Sequence, residues 1–353
     1  MAFTTVTTAN VEELWDKDFF KSYVRANRFK RYMGTNENSI IQLRDDLSKK
    51  AGDGITIPLV TELTGAGVTG NSLLEGNEEA LGNYGHKIEV ATIRHAVAVT
   101  DNDQQFTGID LRNAGKEMLK LWAMSKLRTD VITALGSIST GVGTSVTYAA
   151  ATAGQRNAWL VANADRILFG DGTVGAYTTL ATDLTAITSG MKLTKEVVSR
   201  AKARAEAASP KLRPVTVGED SETFVMFVDA RAFRDLKADL ATTLQNAQER
   251  GDGNPLWNDG DLMYDGVVIR KIQEIASLGN VGAGGTVAVS PYYLCGAQAI
   301  GVAWAQMTKS TTDTRDYGFV KGVGIHEMRG VEKLVYNGKD HGVFTGFVAA
   351  AAL

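Results

Sequence analysis

Four histidines and one cysteine are all this chain offers of the side chains that most often hold metals or act as nucleophiles at neutral pH. His326 and Glu327 are adjacent in the strand-like run GVGIHEMRG. Successive strand side chains point to opposite faces, so these two do not share a metal. His86 and His95 stand nine apart with no carboxylate or thiol at ligand spacing. Asp252, Asp259, Asp261 and Asp265 crowd one stretch, DGNPLWNDGDLMYD. It lacks the D-x-[DN]-x-[DN]-G-x₅-E register of a calcium loop and reads as a turn. GDGTVG, residues 170–175, has glycines but does not follow a strand and open a clear helix, as a nucleotide fingerprint must. Cys295, in YYLCGA, reads as a small buried hydrophobe. No G-x-S-x-G, H-E-x-x-H or P-loop pattern occurs. The expectation is no catalytic residue, no metal and no cofactor.

The elements explain the rest of the composition. With 353 residues the chain can bury a sizeable core and form two or more lobes. Its net charge is −3, which argues against a dedicated nucleic-acid binder with a basic face. One cysteine cannot form an internal disulfide, which favours a reducing compartment. There is no apolar run of the ~20 residues a bilayer span needs and no signal-peptide pattern at MAFTTVTTANVEELW. Glycine is abundant (37) and proline scarce (5), which means turns, bulges and flexible excursions.

The organising element is the run IDLRNAGKEMLKLWAMSKLRTDVITALGSI, residues 109–138. Leu111, Ala114, Met118, Leu121, Met124, Leu127, Val131 and Leu135 recur at three or four residues, so the spacing predicts one long amphipathic helix. Asp110 suits its first turn and Gly136 its stop. Before it, residues 10–32 place acids first and bases last, as a helix dipole favours, with Trp15, Phe19 and Tyr23 on one face. GDGITIPLVTEL alternates like a strand, with Ile55, Ile57 and Leu59 on one side; Lys87 to Thr100 forms a second strand-like run. Between them lies a glycine-rich tip, which cannot bury enough apolar surface to order itself and carries Leu73, Leu74 and Glu75. The pair predicts a long hairpin arm.

Downstream, residues 136–156 read as a loop or weak strands, and 157–175 as a short helix, a strand and a turn at Asp171–Gly172. Thr194 caps a helix to Ala208. TFVMFVD is a buried-type strand, followed by a helix with Phe233, Leu236, Leu240 and Leu244 in phase. The remainder is strands broken by glycine. The class is α+β.

This order of parts resembles the tailed-phage major capsid proteins with the Hong Kong 97-type coat fold, in a podophage-type subfamily. ADRILFGDG, NPLWNDGDLMYDGVVIRKIQEI, LCGAQAIGVAWAQ and the ending DYGFVKGVGIHEMRGVEKLVYNGKDHGVFTGFVAAAA carry the resemblance. It implies an N-terminal arm (residues 1–51), an extended β-hairpin loop (52–101), a peripheral domain (102–235) holding the spine helix 109–138, an axial domain (236–330) and a C-terminal strand returning to the body (331–353). It implies a non-enzymatic subunit that assembles with itself as pentamers and hexamers into an icosahedral shell. That shell encloses double-stranded DNA without sequence-specific binding, has no membrane, and is assembled in a bacterial host's cytoplasm. Scaffolding, portal and decoration proteins are the further partners.

Some members cross-link a loop lysine to a neighbour's asparagine. Lys87, the only lysine between Lys50 and Lys116, lies at the strand base, so no cross-link is expected. Other members begin with a cleaved scaffolding segment of about a hundred residues; here only some fifty residues precede the loop, so that segment has been removed or scaffolding is a separate protein, and the Met1 start favours the second. Apolar groups on segments with no core of their own make Trp15, Phe19, Tyr23, Leu73, Leu74 and Glu75 the candidate inter-subunit contacts. The rival readings are a bacterial encapsulating-compartment shell protein and an α+β enzyme or ligand-binding protein.

Overall fold

The computed structural model describes residues 29–45, 54–60, 67–70, 75, 76, 78, 83–107, 110–141, 144–217, 221–240, 257, 258 and 261–351. Trp15, Phe19, Tyr23, Leu73, Leu74, Leu244, Asp252 and Asp259 lie outside the described residues.

In chain order the elements are β1 (Ile41–Arg44), β2 (Gly54–Val60), β3 (Asn83–Glu89), β4 (Ala91–Thr100), α1 (Asp101–Phe106) and α2 (Leu111–Leu135). Then come β5 (Ser137–Gly141), β6 (Thr144–Thr147), α3 (Ala153–Ala162), β7 (Ile167–Phe169), α4 (Leu180–Thr185) and α5 (Lys195–Ala207). The last are β8 (Val215–Val217), β9 (Ser221–Val228), α6 (Ala230–Asp239), β10 (Asp261–Tyr264), β11 (Val267–Lys271), β12 (Val289–Cys295), β13 (Ile300–Arg315), β14 (Val320–Lys333) and β15 (Val343–Ala349).

The long helix forms, but shorter; Leu127, Val131 and Leu135 of the expected face are buried, while its first half turns a different face inward. At 25 residues α2 spans about 37 Å. Asp110 sits just outside the first turn as the cap, accepting the Asn113 N–H at 3.1 Å. Gly136 stops the helix, and Ser137 and Ile138, expected inside it, open β5. The buried row is Gly115, Leu119, Ala123, Leu127, Val131 and Leu135. Met118 and Leu121, which the spacing places in the core, are 59% and 51% exposed. The reason is size. A Cβ on Gly115 would lie 3.3 Å from Val97 Cγ1 of β4, so the helix approaches the sheet along its smallest side chains.

Beneath α2 lies a five-stranded sheet in the order Met33–Gly34, β1, β13, β14, β4. β13 and β14 form an antiparallel hairpin, β4 pairs antiparallel with β14 over ten residues, and β1 runs parallel to β13. The run expected as one strand from Lys87 to Thr100 breaks at Val90. β3 pairs with β2 in the arm, whereas β4 belongs to this sheet.

An eight-stranded sheet takes the order Trp257–Asn258, β10, β11, β9, β12, β15, β7, with β8 paired to β9. Its central strands are continuous apolar runs because both faces are covered. Met226 and Val228 pack with α5 and α6 through Val197, Ala201 and Leu236, and with Leu240 just past the end of α6. Val225 and Phe227 point the other way, into the core shared with α2. β12 alternates likewise: Tyr292 and Leu294 join the first core, Tyr293 and Cys295 the second. A third core gathers Trp159 and Leu160 of α3 with Phe169 and Phe347. Thr194 caps α5 as expected, accepting the Val197 N–H.

Candidate functional site: the arm and its root

β2 and β3 pair in unbroken register from Gly54 with Glu89 to Val60 with Asn83. Of the tip, Glu75 and Gly76 form an exposed turn in which the Gly76 N–H donates to Glu78 Oε2 at 2.7 Å. Among the described residues, the base of the arm is the part that is anchored. Ile55, Ile57 and Ile88 are buried against Ala303, Leu334 and Tyr336, a small core separate from the others. Ile55 and Ile57 share the buried side, as their alternation predicts; the side chain of Leu59 lies outside the described set.

Two glycines let the arm cross the sheet here. A Cβ on Gly301 of β13 would meet Ile88 Cδ1 at 2.3 Å, and one on Gly330 of β14 would meet the Glu89 carbonyl oxygen at 2.0 Å. Polar contacts add direction. The Tyr336 hydroxyl donates to the Ile57 carbonyl at 3.3 Å. The buried His86 ring lies 3.1 Å from Glu332. No sequence spacing marks that carboxylate, because it comes 246 residues later.

Behind the root is a charged interior that the sequence reading missed. Lys333 Nζ lies 2.7 Å from Asp340 Oδ2, which also accepts the Trp159 indole N–H at 3.1 Å; lysine and aspartate are both 2% exposed. Arg166, 1% exposed, donates to the backbone carbonyls of Asp340 and Pro210. Asn163 accepts the Asp340 N–H at 2.8 Å. Next to this group, burial and then the nearby Arg166 and Arg213 charges push the His341 imidazole down to about 4. The one legible signal was charge inside apolar strand-like runs, as in RGVEKLVYNGKDHGVF.

Other sequence candidates resolve into structure. His326 is half-buried and Glu327 fully buried on the opposite face of β14. Glu327 instead accepts from Arg329 at 2.7 Å and from Thr308 at 2.8 Å. His95 rests on the Trp122 ring of α2, centroids 4.6 Å apart. Asp265 and Gly266, both at positive φ, make the tight turn between β10 and β11, and the Asp265 carbonyl accepts from Lys202. Asp171 closes its turn by accepting from the Thr173 backbone and hydroxyl, which holds its carboxyl below the usual range. Cys295 is wholly buried, and burial pushes its thiol far up. Among the described residues, no three His, Cys, Asp or Glu side chains converge on a metal position, and no helix is long and apolar enough to cross a membrane.

The geometry is thus an arm whose described base is held on a charge-stapled body, with no converging chemical centre among the described residues. Comparison with known proteins points the same way. A family model described as phage capsid protein matches residues 4–350. The major capsid protein of Pseudomonas phage KPP25 is 25% identical, over 97% of this chain and 96% of its own. A subunit of the cyanophage Pam1 capsid superposes with a TM-score of 0.85 at 39% identity, with both chains fully covered. The capsid of Ralstonia phage GP4 shares the fold, with a TM-score of 0.75 at 22% identity over 92% of each chain.

Proposed function

The chain belongs to the phage capsid protein family, and from that premise we propose that its arm and hairpin surfaces join copies of it into pentamers and hexamers. It is a major capsid protein of a tailed phage, with the Hong Kong 97-type fold, and its place is the virion shell. The observation that carries this reading is the full-length correspondence to the Pam1 capsid subunit. These relatives lend nothing to the compartment-shell or enzyme readings, and the role is structural.

The finer assignments extend the proposal. The contacts are Trp15, Phe19 and Tyr23 of the N-terminal arm and Leu73, Leu74 and Glu75 of the loop tip. Support comes from the sequence, which puts these apolar groups on segments with no core of their own, and from the small core that holds the described base of the hairpin. The outward Met118 and Leu121 of α2 offer a neighbour apolar surface. Obligate interfaces of this kind bury about 2,000–5,000 Å². The enclosed cargo is double-stranded DNA. A net charge of −3 suits a container that does not grip it, since dense basic contacts would bind DNA tightly. Scaffolding, portal and decoration proteins are further partners, and assembly takes place in the bacterial host's cytoplasm without a membrane.

The division into arm (1–51), loop (52–101), peripheral (102–235) and axial (236–330) parts with a returning strand (331–353) is also proposed. In it, β14 pairs with β4, so the sheet under the spine helix draws strands from both ends of the chain.

The test is the mass of the purified chain by light scattering, with electron micrographs of the same sample. Megadalton shells or closed five- and six-fold rings are expected. A monomer near 38 kDa that persists when scaffolding protein is supplied would overturn the reading.

A further inference from the structure

One short hairpin joins the seat of the arm to the charged interior. Val335–Tyr336 pairs with Lys339–Asp340, and Asn337 and Gly338, at φ of 52° and 75°, make the tight turn between them. The first strand serves the arm. Tyr336 lies in the small core with Ile55, Ile57 and Ile88, and its hydroxyl donates to the Ile57 carbonyl at 3.3 Å. The second strand serves the body. Asp340 meets Lys333 and Trp159, while Lys339 lies 3.1 Å from Asp165 and donates to the Ser209 carbonyl at 2.8 Å.

His341 follows directly and stands between the two. Its backbone N–H donates to the Leu334 carbonyl at 2.9 Å, and its ring meets Tyr336 edge to face, centroids 5.0 Å apart at 88°. On the far side of Tyr336 lies the His86 ring of β3, 6.4 Å away, held by Glu332. His341 is 6% exposed, and its Nδ1 has no hydrogen-bond partner among the described residues. The charges that act on the ring are the guanidinium groups of Arg166 and of Arg213, just before β8. The adjoining Asp340 turns its Oδ2 to Lys333 and Trp159 instead. A proton on His341 therefore meets two cations in a dry site, and the charged ring is driven out toward water.

We infer that His341 and Tyr336 form an acid-released latch on the arm: protonation of His341 displaces the Tyr336 ring and frees the Ile57 carbonyl, so the base of the hairpin leaves its seat while the two large sheets stay folded. Tyr336 itself does not switch. Burial pushes its hydroxyl up to about 12, so it remains a donor throughout. The seat yields first because its core is small and separate from the three that hold the body. The direction follows from linkage. The seated His341 ring titrates at about 4 and a released one near 6.5. Acid therefore favours the released state, roughly twentyfold between about pH 7 and about pH 5.

Hydrogen exchange of dissociated, full-length subunits, corrected for the intrinsic pH dependence of amide exchange, reads the latch. Protection of the β2 and β3 amides should fall roughly twentyfold between about pH 7 and about pH 5, and should lie below that of β12 and β15 at both. His341→Gln should abolish the fall. Arg213 is exposed, so Arg213→Gln leaves the fold intact. By removing one opposing charge it should make the fall smaller. A fall that survives His341→Gln would overturn the inference. So would β2 and β3 protection equal to that of β12 and β15, because the opening would then be global unfolding. If His341→Gln already loosens the arm at neutral pH, the Arg213 variant decides, and an unchanged fall there rules the latch out.

Discussion

Arg329 of β14, with a side chain 1% exposed, lies 2.8 Å from Asp130 on the spine helix and 2.7 Å from Glu327 on its own strand. One guanidinium therefore couples helix to sheet and neutralises a buried carboxylate, and it also lies 5.9 Å from the Trp304 ring.

Arg329→Ala should destabilise the isolated subunit by about 3–5 kcal/mol, because the buried Glu327 loses its cationic partner. Asp130→Asn removes a partner that is itself partly exposed and should cost about 1 kcal/mol. Urea unfolding of both variants checks the order; equal losses would show that Glu327 is not the group at stake.

The two crossing glycines should respond unequally. At Gly301 the added methyl meets the flexible end of Ile88, whereas at Gly330 it meets the Glu89 backbone. Gly330→Ala should cost about 1–3 kcal/mol as overpacking and dislodge the arm, with Gly301→Ala milder. Proteolysis rates at the arm, with shell yield alongside, measure the difference.

The spine-helix face gives a paired test. Leu119, 1% exposed, should cost about 2–5 kcal/mol on truncation to alanine. Met118→Ala, one residue earlier and 59% exposed, should stay within about 0.5 kcal/mol for folding. Thermal melts of the two subunits decide it. If Met118→Ala also lowers shell yield, the outward face is a contact.

His341 should make the subunit acid-sensitive. Its imidazole is held neutral down to about pH 4, while the unfolded ring titrates near 6.5. Between those values the unfolded state binds the extra proton, so stability is full above about pH 6.5 and falls as pH drops toward 4. The loss approaches about 3 kcal/mol at the lower end. His341→Gln should flatten the pH dependence of urea midpoints in that window. A slope identical to the wild type would assign the sensitivity elsewhere.

Much of the fold was legible. Period-four spacing marked the spine helix, Gly136 its stop and Thr194 the cap of α5, because local hydrogen bonding and φ/ψ preference act over a few residues. TFVMFVD read as a buried strand because both its faces are covered. The inward face of α2 was read correctly at Leu127, Val131 and Leu135 but not in its first half, because apolarity alone cannot show that the helix there packs through Gly115, Leu119 and Ala123. Residues 87–100 looked like one strand, since nothing in their alternation reveals that Val90 separates two sheets.

By itself, then, the sequence determined the α+β class and the spine helix, since periodicity and turn chemistry are written locally. The expectation of a shell subunit came from its resemblance to the tailed-phage capsid proteins. Tertiary structure decided which groups meet across long separations. His86 finds Glu332, Arg329 finds Asp130 and Trp159 finds Asp340 because folding brings distant segments into one low-dielectric interior, where a charge must be paired. It also decided that Tyr317 stands in solvent, a consequence of backbone geometry at a turn that no residue pattern announced.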